Sequence, residues 1–190
     1  MSTREKIVKS AVSLFIKQGV AKTTTKQIAN LASVAEGSIY RYFPSKDELA
    51  WQAFKDYHQT LAMQLQQSVS AELSLKQKIS ALVSCFLKMA DKDWMMFSYY
   101  LTSQHTHIKN VTEDMLTPYQ VLTNVVEHGV KTGEIKTSDI NVPTAMMMGA
   151  VHQIAINKIY MRVKGDLYAY HEQVSNTLES MIKAEEDCHE

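Results

Sequence analysis

Apolar residues recur every three or four positions along nearly the whole chain, and no segment of useful length alternates apolar with polar. That pattern suits packed helices and gives no support to a half-buried sheet. In the first segment Ile7, Ala11, Leu14 and Phe15 form one stripe, which Gly19 can close. Thr24 with Gln27 makes a capping box for a second helix, with Ile28, Leu31 and Ala32 as its apolar positions. A break near Ser33-Val34 leads to a short third helix carrying Ile39, Tyr40 and Phe43. Ser45 with Glu48 opens a long fourth helix through Trp51, Phe54, Leu61 and Leu65. Downstream, Ser74, Asp93 and Thr117-Pro118 each mark a helix start, and Gly133 marks a stop. Two further helices are expected over 141–164 and 166–184. The sequence therefore predicts an all-α fold of about nine helices.

The chain has 190 residues, enough for one large domain or two small ones, and 45% of them are hydrophobic, as a buried core requires. No apolar run is long enough to span a membrane. The start, MSTREKIVKS, lacks the apolar stretch of a signal peptide. Cys85 and Cys188 are far apart and suit a reduced, cytoplasmic protein better than a disulfide scaffold. The net charge of zero hides a split: residues 1–46 hold eight Lys or Arg against two acids, while residues 47–190 hold twelve against eighteen. A basic head on an acidic body points to a head that meets a polyanion. The expected division is a head at 1–46 and a helical body at 47–190.

Two short helices joined by a tight turn, the second basic and aromatic, describe a helix-turn-helix. Its second helix enters the major groove by its N-terminal part, here Glu36-Gly37-Ser38. Gly37 lets backbone approach DNA closely. Ser38 can bond to a base edge, and Glu36 can accept from a cytosine amine. Tyr40, Arg41 and Tyr42 lie about a turn further on, within reach of phosphates or bases, whereas Ile39 and Phe43 are expected to plug the small core. Helix N-termini also attract phosphate, so Thr24-Thr25-Lys26 and Ser45-Lys46 are expected to clamp the backbone on either side of the groove.

Residues 23–49, TTTKQIANLASVAEGSIYRYFPSKDEL, resemble the DNA-binding segment of TetR-family transcriptional regulators. That pattern runs Thr, then Ile-Ala, a turn, Gly-Ser/Thr-aliphatic-Tyr, an aromatic or His, Phe, and Ser-Lys-Glu-Leu. The resemblance implies a homodimeric repressor whose body binds a small molecule. It also implies DNA contacts at Thr25, Lys26, Glu36, Gly37, Ser38, Tyr40, Tyr42 and Lys46. Two positions depart from the pattern: Ser33 stands where glycine is usual, and Ala35 stands where a serine or threonine caps the recognition helix. The first asks a left-handed conformation of a non-glycine residue at about 1 kcal/mol. The second forgoes a side-chain cap worth on the order of 1 kcal/mol, and with it a phosphate contact.

In the body, segment 141–164 is apolar over most of its surface, its polar residues reduced to a narrow stripe of Gln153, Asn157 and Lys164. A helix of that kind is buried on two sides. A twofold partner supplies the second side, so a homodimer through 141–164 and 166–184 is expected. Two heads about 34–36 Å apart then reach successive major grooves of a near-palindromic duplex. Seven of the eleven methionines fall in residues 89–148, and methionine adapts to varied ligands. With Phe86, Trp94, Phe97, Tyr100, Met115, Tyr119, His128, Met148 and His152 they make a soft cavity for an apolar or aromatic effector. A methionine-rich core without a ligand remains the other reading.

Neither a cofactor nor a metal is expected. His105 and His107 look like a metal pair, but residues two apart do not share a helix face. No His-Glu-x-x-His, Cys-x-x-Cys or phosphate-binding glycine loop accompanies them. Catalysis is therefore not expected. The alternatives to a ligand-released repressor are a helical interaction module and an activator without an effector.

Overall fold

The computed structural model describes residues 1–182. Among the described residues there are nine α-helices and two short 3-10 turns, with no strand. In order they are α1 (Thr3–Lys22), α2 (Thr25–Ala32), α3 (Glu36–Tyr40), α4 (Lys46–Ser68), α5 (Leu75–Lys92), α6 (Trp94–His107), α7 (Pro118–Lys131), α8 (Asn141–Ile159) and α9 (His171–Ile182). The chain forms two compact units, Met1–His58 with Asp93–Glu113, and Gln59–Lys92 with the chain from Asp114 onward. The helix-turn-helix thus packs as one unit with the first half of α4 and with α6, beyond the head expected at 1–46.

In the first unit Ile7, Ala11, Val12, Ile28, Ile39 and Phe43 form the core beneath the helix-turn-helix. Leu31, an expected apolar position of α2, is exposed, and Ala29 takes the inner place. Both ends of the stripe are fastened. Ser2 and Glu5 close a capping box on α1, and Gly19 kinks that helix near its end with a positive φ of 81°. Arg4 lies over the Phe43 ring, 5.3 Å from its centroid, and donates to Asp56 at 2.7 Å. Behind them α4 and α6 share an aromatic layer. Phe54 stacks on Tyr100 at 5.4 Å, Tyr57 meets Phe97 edge-on at 6.0 Å, and the Tyr99 hydroxyl donates to the Ala50 carbonyl at 2.9 Å.

The second unit is a bundle of the last turns of α4 with α5, α7, α8 and α9. The starts read from sequence hold where a side chain caps them: Ser74 accepts from Gln77 N, and Thr117 from Gln120 N with Pro118 at the first helical position. Asp91, near the end of α5, is a hub. Its carboxylate accepts from Lys158 Nζ at 3.1 Å and from the backbone N–H groups of Leu167 and Tyr168 at 2.9 and 2.8 Å. Burial pushes its pKa up, but those hydrogen bonds and the Lys158 charge outweigh it and hold the carboxyl below its ordinary value.

Two helices differ from expectation. The helix expected to run to Lys164 ends at Ile159, because Arg162 and Val163 both turn their N–H groups back to the Asn157 carbonyl and Met161 takes a positive φ of 57°. The helix expected over 166–184 begins as a 3-10 turn, Leu167–Tyr170, bound to Asp91, and turns α-helical at His171. Its expected last residues, 183 and 184, lie outside the described residues, as does Cys188.

Candidate functional site

The candidate nucleic-acid face is assembled from the N-termini of α2 and α3 and the start of α4. Thr24 closes a full capping box, accepting from Gln27 N at 3.2 Å while its own N–H reaches Gln27 Oε1 at 2.9 Å. Thr24 is therefore occupied in holding α2. Ser33 takes the left-handed conformation (φ 55°, ψ 46°) and turns the chain sharply into α3. Ala35 has the extended geometry of an N-cap but contributes no side-chain bond, so the first N–H groups of the recognition helix lack a side-chain acceptor there.

Three of the expected contacts meet in one cluster. The Thr25 hydroxyl donates to Glu36 Oε1 at 2.5 Å and lies 3.4 Å from the Tyr40 hydroxyl. The pair fixes the starts of α2 and α3 relative to each other. Gly37 is exposed, and a Cβ built on it would meet nothing within 4 Å. Internal packing therefore does not demand glycine at that position. Lys26, Arg41, Tyr40 and Tyr42 are exposed, and Ser38 is half-buried. Ile39 and Phe43 are buried, so one face of this short helix anchors and the other is presented.

Lys46 has a second occupation that spacing did not reveal. Its ammonium donates to the carbonyls of Thr23 at 2.7 Å and Ala21 at 3.2 Å, at the end of α1. A cation there satisfies orphan carbonyls and complements the helix dipole. Two of its three donors are taken, and one remains for a phosphate.

The residues expected around an effector do not come together as one set. Phe86 and Met148 line an apolar seam of the second unit with Leu65, Leu82, Val83, Leu122, Met147, Val151 and Leu178. His152 packs on Phe86, ring centroids 5.4 Å apart, and burial pushes its pKa down to about 4. His128 lines a separate, more polar cavity. Met115 is half-buried and lines neither cavity, and Tyr119 is exposed, donating to Asn141 at 3.3 Å. Trp94, Phe97 and Tyr100 belong to the first unit, where they build its aromatic layer. Sequence reasoning gathered aromatic and methionine side chains, whereas the seam is mostly leucine and valine from buried stripes that looked like ordinary core. The seam has a volume of only about 10 Å3, room for one water at most.

The His105/His107 pair is split by the helix, as the spacing required. His105 is exposed, and His107 is buried against Trp51 and Phe54, its Nε2 3.4 Å from the Tyr99 hydroxyl. Among the described residues no three His, Cys, Asp or Glu side chains gather to hold a metal ion. None of the described helices is long and apolar enough to cross a membrane.

Residues 7–52 match the model of the bacterial regulatory proteins of the tetR family. Over 181 residues the chain is 23% identical to the fatty acid metabolism regulator protein of Bacillus subtilis, covering 93% of each chain. It is 26% identical over 147 residues to the transcriptional repressor KstR2 of Rhodococcus jostii, covering 75% of this chain and 72% of that one. In fold it is similar to the transcriptional regulator FadR of Bacillus subtilis, solved in complex with stearoyl-CoA, with a TM-score of 0.74 and 20% identity over 94% of this chain and 98% of that one. Residues 7–52 thus form a tetR-type DNA-binding head, and over the body as well the chain is similar to TetR-family transcriptional regulators in sequence and in its all-helical fold.

Proposed function

We propose that the protein is a homodimeric repressor that leaves a near-palindromic operator when a long-chain acyl thioester enters its body. The observation that carries this reading is the seam, whose nine lining residues are all apolar and come from α4, α5, α7, α8 and α9. A hydrocarbon chain needs such a lining and little else. The likeness to a fatty acid metabolism regulator over most of both chains, and to a fold that holds stearoyl-CoA, supports the choice of ligand. The seam is closed, so an acyl chain must displace side chains. Met147 and Met148, unbranched and easily rearranged, are the cheapest to move. Leu65 lies on α4, the helix that begins at Lys46, so widening the seam gives the ligand a lever on the head.

The groove of about 430 Å3 between α8 and α9 supports the dimer. Ala150, Ile154, Val163 and Val174 line it together with Gln153 and Asn157 of the polar stripe and Gln173 and Thr177 of α9. A second copy related by a twofold axis covers it with the same residues.

The test is selection of duplexes from a random pool by the full-length protein, followed by sedimentation with and without the selected duplex. The reading requires an inverted repeat, its half-sites about 10 base pairs apart, bound by two chains. Enrichment of single half-sites, or one chain per duplex, would overturn the dimeric part. Release of the selected duplex by stearoyl-CoA tests the effector part.

A further inference from the structure

Lys78 sits on the inner side of α5 with only 5% of its surface exposed. Its stem lies in the core while its ammonium reaches an open cavity. Among the described residues its ammonium makes no hydrogen bond and no salt bridge; its charge helps to hold the Glu72 carboxyl below its ordinary value, after the Ser70 hydroxyl and the backbone. A leucine or methionine would fill this place in a helical core more cheaply.

Lys78 lines a cavity of about 260 Å3 between the end of α4, α5 and α7, together with Gln66, Ser70, Asn124 and His128. The cavity runs beside the apolar seam on all three helices. Gln66 follows Leu65, Val121 precedes Leu122, and Lys78 lies one turn from Leu82, the second of each pair being a seam residue. Apolar lining on one side and a cation with amide, hydroxyl and imidazole groups on the other match a molecule that carries an anion on a hydrocarbon chain. The volume suits a carboxylate or a phosphate group, not a whole nucleotide.

We propose that this cavity, through Lys78 and His128, holds the anionic end of the effector whose hydrocarbon chain enters the neighbouring seam. The assignment rests on the acyl-effector reading above and adds to it where the ligand is oriented and by which charge. An incoming carboxylate or phosphate gives the Lys78 ammonium a hydrogen-bonded anionic partner, in a partly desolvated site where a charge-assisted bond is strong.

The test uses the full-length protein, with stearoyl-CoA, stearate and methyl stearate below their micelle concentrations. Equilibrium binding is measured for the wild type, Lys78→Met and His128→Gln, each at two salt concentrations. Lys78→Met keeps the buried stem and removes the charge. It is expected to weaken stearoyl-CoA or stearate at least about tenfold, to flatten the salt dependence, and to leave methyl stearate unchanged. His128→Gln, the milder change, should weaken the same ligands in the same direction. Loss confined to stearoyl-CoA identifies a phosphate in the cavity, and loss confined to stearate identifies a carboxylate. Unchanged affinities in both variants, or an equal loss for all three ligands, would overturn the assignment while leaving the acyl-effector reading standing. Failure of the wild type to bind any of the three would overturn that reading and this assignment with it.

Discussion

Thr25 and Glu36, eleven residues apart, are joined by a hydrogen bond of 2.5 Å from hydroxyl to carboxylate. Each is the first residue of its helix, so the bond ties together the two helix starts that a duplex would approach. A hydroxyl has one proton to give. Thr25 gives it to Glu36 in the free protein, and contact with a phosphate requires that proton to change partner.

Glu36 is accordingly expected to act against indiscriminate binding. Its carboxylate competes for the Thr25 proton and repels the backbone wherever no base-edge donor compensates. Glu36→Gln keeps an acceptor for Thr25 but removes the charge. Affinity for random duplex is expected to rise several-fold. Affinity for the selected operator should rise less or fall, narrowing the ratio by about tenfold, in the range of one base contact. Anisotropy titrations on both duplexes at a fixed salt concentration give that ratio.

Gly37→Ala separates folding from function. The added methyl meets nothing in the free protein, and alanine in a helix is favoured over glycine by about 1 kcal/mol. Thermal unfolding should therefore shift upward by about 2–4 °C. Operator affinity should nevertheless fall at least about tenfold, because the methyl stands where DNA backbone or base edges approach. A rise in stability with unchanged operator binding would show that Gly37 does not face the groove.

Lys46→Met removes a cap and a cation together. Losing the bonds to the Thr23 and Ala21 carbonyls is expected to cost about 1–3 kcal/mol in denaturant unfolding. Losing one phosphate contact should weaken all duplexes about uniformly and lower the slope of log affinity against log salt by about one. A stability loss with an unchanged salt slope would confine Lys46 to capping α1.

His58 sets an acid limit. It is 4% exposed, packed against Phe54 and Tyr100, and neither ring nitrogen has a hydrogen-bond partner. Burial pushes its pKa from 6.5 down to about 4, so the folded chain keeps it neutral while the unfolded chain protonates first. Its contribution is complete above about pH 6.5 and is lost progressively towards pH 4, by up to about 3 kcal/mol. His152, depressed to about 4 in the other unit, adds a loss of the same sign. His58→Leu should match or exceed wild-type stability at pH 7, having no buried unsatisfied nitrogen, and should lose less on acidification. Urea unfolding at pH 7 and pH 5 measures both.

The helix-turn-helix was legible because each of its devices is local. Thr24 and Gln27 three apart, Ser33 at the turn, and Ile39 and Phe43 on one face of five residues each state their role within one helical turn. Lys46 was read only in part, since its carbonyl partners lie more than twenty residues back and backbone oxygens leave no mark in a sequence. The body was legible as helices and much less so as a site. Leu65, Leu82 and Leu122 sit on ordinary buried stripes, and only tertiary packing shows that they share one seam. Lys78 interrupts such a stripe at a place where spacing alone suggests a solvated charge. The end of α8 is not legible because Tyr160 and Met161 continue the apolar pattern past the point where the Asn157 carbonyl takes the returning N–H groups.

The most direct test of the coupling between head and body is the affinity of the full-length protein for its selected operator, titrated with stearoyl-CoA at constant salt. The account predicts operator affinity at least about tenfold weaker at saturating ligand, with ligand affinity weakened by the same factor when operator is bound. Binding of stearoyl-CoA with operator affinity unchanged would contradict it.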